Sequence, residues 1–128
     1  MKNETPAILI VDDDDRNIFA LKAVLSAKGF TCCTANSGHQ ALKLLLDGNP
    51  IDLVLVDMMM PEMDGYEFMR EVRSLHSLER ITLVAVTAQA MSGDREKCIA
   101  AGADGYLSKP VDTDRLMQLI VDCQSGTE

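Results

Sequence analysis

The stretch that decides the fold is Ile51-Asp-Leu-Val-Leu-Val-Asp57, followed at once by Met58-Met-Met-Pro-Glu-Met-Asp-Gly65. From Leu53 to Val56 it carries only apolar side chains, which is typical of a strand with helices over both faces. We therefore predict a central strand of a parallel sheet. Because an unpaired buried charge is very costly, the carboxylate that ends this strand, Asp57, requires a specific role.

Strand-like and helix-like segments alternate on both sides of this central strand. The first apolar run, residues 7–11, is also followed directly by acidic residues, Asp12-Asp-Asp-Asp15. Apolar residues recur at helical spacing between the strand-like runs, and Gly, Asn and Pro residues separate the segments. The predicted strands are 7–11, 31–35, 53–57, 81–87 and 105–109. The predicted helices are 16–28, 38–47, a segment after Gly65, 94–101 and a segment after Asp112, with a polar loop at 77–80 and a frayed polar tail at 125–128.

The regular alternation of strands and helices predicts an α/β fold. Strands joined through helices form a parallel sheet with right-handed crossovers, and the helices cover both faces of that sheet. In such doubly wound sheets, ligands bind beyond the carboxyl ends of the strands. The 128 residues have room for one domain, which we expect to span 1–128 with a core at about 7–124.

Composition and charge narrow the classes of function. Twelve Lys and Arg against twenty Asp and Glu give a formal charge of −8, which opposes direct binding to nucleic acid or to anionic membranes. No apolar run approaches the roughly 18 residues that a membrane span needs, and the polar start at 1–6 does not resemble a signal peptide. The four cysteines have neither redox nor zinc-site spacing, so we expect reduced thiols and a cytoplasmic protein.

Polar side chains of complementary chemistry stand at four of the predicted strand ends. They are Asp12 and Asp13, Asp57, Thr87, and Lys109. Carboxylates that meet at one edge repel one another unless a cation lies among them, and oxygen ligands without His or Cys favour magnesium. A lysine and a hydroxyl across the same pocket suit the oxygens of a phosphoryl group. Because carboxylates can act as nucleophiles, the central Asp57 is the candidate phosphoryl acceptor.

Each of these features also has an ordinary structural explanation. Four consecutive aspartates are usually a solvated charge run, and a threonine at a strand end is usually a β-branched strand residue. A Lys-Pro pair is usually part of a loop. The conjunction favours a functional site, because independent features at four strand ends fall on one edge of one sheet.

Four motifs carry a resemblance to the receiver domains of two-component response regulators. They are Val11-Asp-Asp13, Asp57-Met-Met-Met-Pro-Glu-Met-Asp-Gly65, Val86-Thr-Ala88 and Ala101-Gly-Ala-Asp-Gly-Tyr-Leu-Ser-Lys-Pro110. The match runs from about residue 8 to residue 120, and the segment 86–102 is most similar to the receivers of hybrid sensor histidine kinases. The resemblance implies a flavodoxin-like, doubly wound sheet of five parallel strands in the order 2-1-3-4-5, with five helices.

The resemblance also implies a phosphorylation-activated signalling switch of a phosphorelay, not an enzyme. Asp57 is expected to accept a phosphoryl group from the phosphohistidine of a sensor histidine kinase or a histidine phosphotransfer protein. Asp13 and Asp57 are expected to ligate Mg²⁺ directly, Asp12 through a water, and Met59 through its backbone carbonyl. Met59 and Gln89 occupy the positions that bear on phosphoryl lifetime in this family, and the Met59 side chain argues for slow loss of phosphate.

Further implied roles concern Thr87, Lys109 and Tyr106. Thr87 and Lys109 are each expected to contact a phosphoryl oxygen, with a cis Lys109-Pro110 bond helping to aim the lysine inward. Tyr106 is the expected switch aromatic, which turns inward when Thr87 moves toward the phosphoryl group. The added charge is expected to shift the population between two states of the surface formed by the fourth helix, fifth strand and fifth helix.

Two other classes of function compete with this interpretation. An aspartate-nucleophile phosphatase or phosphotransferase of the haloacid-dehalogenase type needs a second aspartate two residues after the nucleophile, where Met59 stands. A flavodoxin-like nucleotide carrier needs a phosphate-binding loop after the first strand, where the acidic run 12–15 stands. A receiver that works without phosphate would lack a site residue, and none is missing. The sequence leaves open the kinase, the output partner, the oligomeric state and whether the chain belongs to a larger protein.

Overall fold

The computed structural model describes residues 6–78, 80–88 and 92–125. Residues 1–5, the expected lifetime position Gln89 and residues 126–128 of the predicted polar tail lie outside the described residues. Within the described ranges the chain alternates strand and helix, as the sequence predicts. No helix in this part of the chain combines the length and the apolar character needed to cross a membrane.

Five strands and five α-helices follow one another along the described residues. The strands are β1 (Ala7–Val11), β2 (Thr31–Ala35), β3 (Leu53–Asp57), β4 (Thr82–Thr87) and β5 (Gly105–Ser108). The helices are α1 (Asp15–Ala27), α2 (Gly38–Leu46), α3 (Gly65–Ser74), α4 (Asp94–Ala101) and α5 (Thr113–Ser125). A short 3-10 helix, His76–Leu78, precedes β4.

The strands form one parallel sheet in the order β2-β1-β3-β4-β5. The central β3 pairs with β1 through Val11 and Val56, and with β4 through Asp57 and Val86. The predicted flavodoxin-like fold, its strand order and its helices are therefore confirmed. Because all strands run in one direction, their carboxyl ends and the polar residues that follow them meet at one edge.

The sheet separates two apolar cores. Every residue of β3 is buried, because side chains alternate between its two faces and helices cover both. Val54 and Val56 pack with residues of α2, α3 and α4, whereas Leu53 and Leu55 pack with residues of α1 and α5. Burial of each such side chain stabilises the fold by about 1.5–3 kcal/mol, so the strand that carries Asp57 is held on both sides.

The structure places several element ends differently from the sequence prediction. The predicted loop at 77–80 includes part of the 3-10 helix, because Leu78 is buried and draws the chain into a turn. β5 ends at Ser108 and not at residue 109, since Pro110, just beyond, has no N–H to continue the ladder. The last helix continues through Ser125, because helical backbone bonds do not depend on side-chain polarity.

Candidate functional site

Three carboxylates gather at the carboxyl edge of the sheet. Asp12 and Asp13 follow β1 and Asp57 ends β3, and each offers an oxygen within 4.8 Å of the other two. Asp12 and Asp57 are only 3% and 5% exposed, whereas Asp13 faces solvent. The Asp12 carboxylate is held in place because its Oδ1 accepts a hydrogen bond from the Asp14 N–H at 2.9 Å. The structure thus brings together the three acidic residues that the sequence places at this edge.

One ammonium group, that of Lys109, reaches two of the three carboxylates. Lys109 Nζ lies 3.2 Å from Asp57 Oδ1 and 3.6 Å from Asp12 Oδ2. The Lys109 N–H donates to the carbonyl oxygen of Thr87 at 2.8 Å, and the peptide bond to Pro110 is cis, as expected. Three carboxylates against one lysine leave the pocket with an excess of negative charge.

The environment of Asp57 disfavours its ionised form. Burial is the main cause that raises the pKa of Asp57, and the negative charge of Asp12 raises it further. Lys109 and the Met59 N–H, which donates to Asp57 Oδ1 at 3.3 Å, oppose this rise only in part. A cation among these oxygens would remove the repulsion. Because the donors are all carboxylates, they fit a hard ion such as Mg²⁺.

A close backbone approach after β3 positions the site. The Gly65 N–H donates to the Met58 carbonyl oxygen at 3.2 Å, and Asp64 caps α3 by accepting from the Glu67 N–H at 2.9 Å. A Cβ at Gly65 would lie 2.7 Å from Met58 Cα and 3.0 Å from the Asp57 carbonyl oxygen. Only glycine fits there, so the start of α3 is pressed against the strand end that carries Asp57.

Tyr66 and Tyr106 converge on Asp94, a residue that sequence reasoning did not assign to the site. Tyr66 O–H donates to Asp94 Oδ1 at 2.6 Å, and Tyr106 O–H donates to Asp94 Oδ2 at 2.7 Å. The hydrogen bond from Tyr66, and after it the one from Tyr106, lowers the pKa of Asp94. In the sequence Asp94 stands out only as an acidic helix start. No local pattern relates it to tyrosines 28 and 12 residues away.

The fold and the pocket define a class of protein: a doubly wound α/β protein with an acidic, lysine-bearing pocket at the carboxyl edge of its sheet. Residues 8–121 match the family described as the response regulator receiver domain. The chain belongs to this family, and the resemblance drawn from the sequence motifs is confirmed. The protein is therefore a phosphoacceptor regulatory domain of two-component signalling.

Curated relatives include both large kinases and a small regulator. The sensor histidine kinase RcsC of Salmonella typhi is 41% identical over 118 residues, which are 92% of this chain and 12% of that kinase. The polar-differentiation response regulator DivK of Brucella ovis is 34% identical over 116 residues, which are 91% of this chain and 94% of DivK. The chain thus spans about an eighth of the length of the kinases that it matches and nearly the whole of the regulator.

Solved receiver structures share the fold. The receiver domain of the sensor histidine kinase PA1611 from Pseudomonas aeruginosa PAO1, with a magnesium ion in its active-site cleft, has a TM-score of 0.85 and 31% identity, covering 94% of this chain and 98% of that one. The Vibrio cholerae chemotaxis protein CheY4 has a TM-score of 0.86 and 25% identity, covering 93% and 98%. Receiver domains bind Mg²⁺ at an acidic pocket and take phosphoryl groups from histidine kinases or phosphotransfer proteins, and this chain has such a pocket.

Proposed function

We propose that Asp57 accepts a phosphoryl group in the presence of Mg²⁺ and that the added charge switches the surface of the domain. The observation that carries this proposal is the Lys109 Nζ, 3.2 Å from Asp57 Oδ1, in a pocket that also holds Asp12 and Asp13. Phosphoryl transfer to aspartate requires a nucleophilic carboxylate, ligands for a hard cation and a fixed positive charge. We also propose that residues 1–128 form a single receiver domain with a core at about 7–124.

The proposed reaction is a transfer from phosphohistidine. A carboxylate oxygen of Asp57 forms a bond to phosphorus while the bond from phosphorus to the imidazole nitrogen breaks, and the nitrogen keeps the electron pair. Asp13 and Asp57 would hold Mg²⁺ directly, Met59 through its carbonyl oxygen and Asp12 through a water. When bound, the ion supplies Lewis-acid stabilisation of the charge on the phosphoryl oxygens.

Lys109 and Thr87 would complete the site after transfer. Lys109, which pairs with Asp57 in this structure, would contact one phosphoryl oxygen, and the Thr87 hydroxyl would donate to another. Thr87 ends β4, and Tyr106 lies in β5, which pairs with β4, so a movement of Thr87 would reach the proposed switch aromatic Tyr106. The proposed output surface is therefore the one formed by α4, β5 and α5, through a population shift between two states.

The proposed lifetime of the phosphoryl group follows from Met59. Its side chain is 59% exposed next to the acceptor and carries no group that could orient a hydrolytic water. We therefore expect slow spontaneous loss of phosphate.

The proposed phosphodonor is a sensor histidine kinase or a histidine phosphotransfer protein. The higher identity to RcsC than to DivK, 41% against 34%, favours the receiver of a hybrid sensor histidine kinase. Free cysteines such as the buried Cys98 fit a reducing compartment, so we propose a cytoplasmic location. The formal charge of −8 argues against direct contact of this domain with nucleic acid or an anionic membrane surface.

Intact-mass spectrometry after incubation with acetyl phosphate and Mg²⁺ tests the proposed function. The wild-type protein should gain the mass of one phosphoryl group, and Asp57→Asn should gain none. Asp15→Asn is the matched control, because Asp15 belongs to the same acidic run but not to the three-carboxylate cluster. It should be phosphorylated like the wild type. A wild-type protein that gains no mass, or an Asp57→Asn variant that does, would contradict the proposal.

The alternative function, an aspartate-nucleophile phosphatase or phosphotransferase, predicts repeated turnover of a phosphate ester. Such an enzyme needs an acid near the leaving group, and Met59 provides only a backbone N–H beside Asp57. We expect p-nitrophenyl phosphate to be hydrolysed equally slowly by the wild type and by Asp57→Asn. Sustained turnover by the wild type alone would favour the enzyme instead.

A further inference from the structure

The loop that follows Asp57 is rich in methionine, and its methionines differ in exposure. Met59 is 59% exposed, whereas its neighbours Met58 and Met60 are only 1% and 7% exposed. The other methionines that the structure describes are buried or half-buried, namely Met63, Met69 and Met117. Within the described ranges, Met59 therefore presents the most accessible thioether.

The backbone of this loop fixes Met59 beside the proposed acceptor. Its N–H donates to Asp57 Oδ1 at 3.3 Å. The preceding residue is held on two sides, because the Met58 N–H donates to the Val86 carbonyl oxygen at 3.1 Å and the Met58 carbonyl oxygen accepts from the Gly65 N–H at 3.2 Å. The exposed Met59 side chain therefore starts from a fixed point next to the proposed phosphorylation site.

The Met59 thioether is placed where it can be oxidised without disturbing the core. Hydrogen peroxide transfers one oxygen atom to Sδ: a sulfur lone pair forms the S–O bond, the O–O bond breaks, sulfur loses two electrons and the peroxide is reduced to water. A neutral oxidant suits this position, because the adjacent pocket holds an excess of negative charge. The product, a sulfoxide, has a strongly polar oxygen in place of a weak acceptor.

The sulfoxide oxygen changes what Met59 offers to a water near phosphorylated Asp57. A thioether is a poor hydrogen-bond acceptor, whereas a sulfoxide oxygen accepts a hydrogen bond from water and can orient it. In hydrolysis, the water oxygen bonds to phosphorus while the bond from phosphorus to the Asp57 oxygen breaks. The carboxylate keeps the electron pair, and the proton of the water passes to solvent. Orientation of the water lowers the barrier to this step.

We infer that Met59 is a peroxide-sensitive modification site, whose oxidation to the sulfoxide shortens the lifetime of the phosphoryl group on Asp57. The inference rests on the proposed role of Asp57 as phosphoryl acceptor, and it adds a form of regulation to that role. With the thioether the phosphoryl group is long-lived, and with the sulfoxide it is lost faster. Because methionine sulfoxide can be reduced enzymatically, this regulation is reversible.

The decay of the phosphoryl mass, with and without prior peroxide treatment, tests the inference. The oxidised residue is located by tandem mass spectrometry, and the protein is then phosphorylated with acetyl phosphate and Mg²⁺ and freed of excess phosphodonor. Oxidation should reach Met59 before the buried Met58, Met60 and Met69. It should speed the loss of phosphate about fivefold, the effect expected of one hydrogen bond. Treatment with a methionine sulfoxide reductase should restore the slow rate.

Three variants separate Met59 from the other oxidisable residues. Met59→Leu keeps a side chain of similar size without sulfur, so peroxide should leave its own rate of phosphate loss unchanged. Because its cysteines and other methionines are still open to oxidation, it also controls for damage elsewhere. Met117→Leu, the matched control, removes a half-buried methionine of α5 and should respond to peroxide like the wild type. Met59→Gln supplies an amide oxygen and should lose phosphate faster without peroxide.

The outcomes distinguish this inference from the proposed function. An equal or slower loss of phosphate after oxidation of Met59 would overturn the inference and leave the proposed function intact. So would an acceleration that persists in Met59→Leu, or oxidation that reaches the buried methionines first. A wild-type protein that gains no phosphoryl mass would instead contradict the proposed function, and the inference with it.

Discussion

The two edges of the sheet use the same kinds of charged side chain in opposite ways. At the carboxyl edge, Lys109 faces three carboxylates, and the pocket keeps an excess of negative charge. At the amino edge, the acid that pairs with Arg73 among the described residues is Asp104, at 2.7 Å. The Lys109 and Arg73 side chains are equally exposed, at 24% each, so burial of the basic side chain does not distinguish the two edges. The two edges differ in their balance of acidic and basic groups.

The amino edge has its hydrogen bonds satisfied by fixed partners. Arg73 Nη1 donates to the Ile81 carbonyl oxygen at 2.7 Å, and its other nitrogens donate to Gly102 and Asp104. Asp104 Oδ2 also accepts from the Leu83 N–H at 2.9 Å. Because protein oxygens already accept these hydrogen bonds, the Arg73 guanidinium is not available to bind a ligand. The balanced Arg73–Asp104 pair therefore stabilises the fold at the amino edge. At the carboxyl edge, the excess of carboxylates over Lys109 leaves a site that suits a cation and a phosphoryl group.

The largest expected effect falls on the carboxyl edge, in the variant Lys109→Ala. Loss of the fixed ammonium group should slow phosphorylation by acetyl phosphate about 100-fold, because one charged donor to the transition-state oxygens is gone. The time course of phosphoryl mass gain measures the rate. Lys43→Ala, which removes an exposed lysine paired with Asp47, is the control and should react like the wild type. A wild-type rate in Lys109→Ala would show that the 3.2 Å contact is incidental.

The second-largest expected effect concerns the amino edge and is a loss of stability in the variant Arg73→Leu. We expect the free energy of unfolding in urea to drop by about 2 kcal/mol, because the carbonyl oxygens of Gly102 and Ile81 lose their charged donor. Arg70→Leu, on the exposed side of the same helix, should change it little. Phosphorylation of Asp57 in folded Arg73→Leu should proceed as in the wild type. A large loss of phosphorylation there would mean that the two edges are not independent.

A smaller effect should follow from magnesium. At an ion concentration ten times the dissociation constant, Mg²⁺ should raise the free energy of unfolding by about 1.4 kcal/mol. Asp13→Asn and Asp57→Asn each remove one of the carboxylates and should lose most of this stabilisation. Arg73→Leu should retain it, since its partners lie at the other edge. If Mg²⁺ stabilised all of these variants equally, the ion would bind outside the three-carboxylate pocket.

The smallest expected effect is on the metal-free protein, in the variant Asp57→Asn. Burial and the charge of Asp12 raise the pKa of Asp57, so its ionised form destabilises the fold at pH 7. Removing that charge should stabilise the metal-free protein by on the order of 1 kcal/mol. The stability that Asp57 contributes is present below its unfolded pKa of 3.8 and is lost as pH rises through the folded value. Urea unfolding at neutral and acid pH should therefore show the advantage of Asp57→Asn shrinking as pH falls.

Much of the fold and of the acidic pocket could be predicted from local sequence. The apolar run that ends in Asp57 predicts a buried central strand, and parallel strands necessarily bring Asp12, Asp13 and Lys109 to the same edge. The cis peptide bond before Pro110 was also expected and is present. By contrast, the roles of these residues in catalysis and metal binding stay predictions until the phosphorylation and magnesium experiments are done.

The contacts around Asp94 and Arg73 could not be predicted in the same way. Each side chain has an ordinary local explanation, an acid at a helix start and a base in a last helical turn. Their actual partners come from other elements, such as Tyr66 for Asp94 and Asp104 for Arg73. Whether those atoms meet depends on how α3 and α4 pack, which periodicity does not report.

The sequence by itself determined which segments become strands, where the chain turns and which edge of the sheet is acidic, because spacing of apolar residues and strand direction are local properties. Only the tertiary structure decided which polar atoms are partners. It placed Lys109 within 3.2 Å of Asp57 and both tyrosines on Asp94. The physical reason is that a hydrogen bond or ion pair depends on a few tenths of an ångström between residues far apart in the chain, and only the packing of strands and helices together sets that distance.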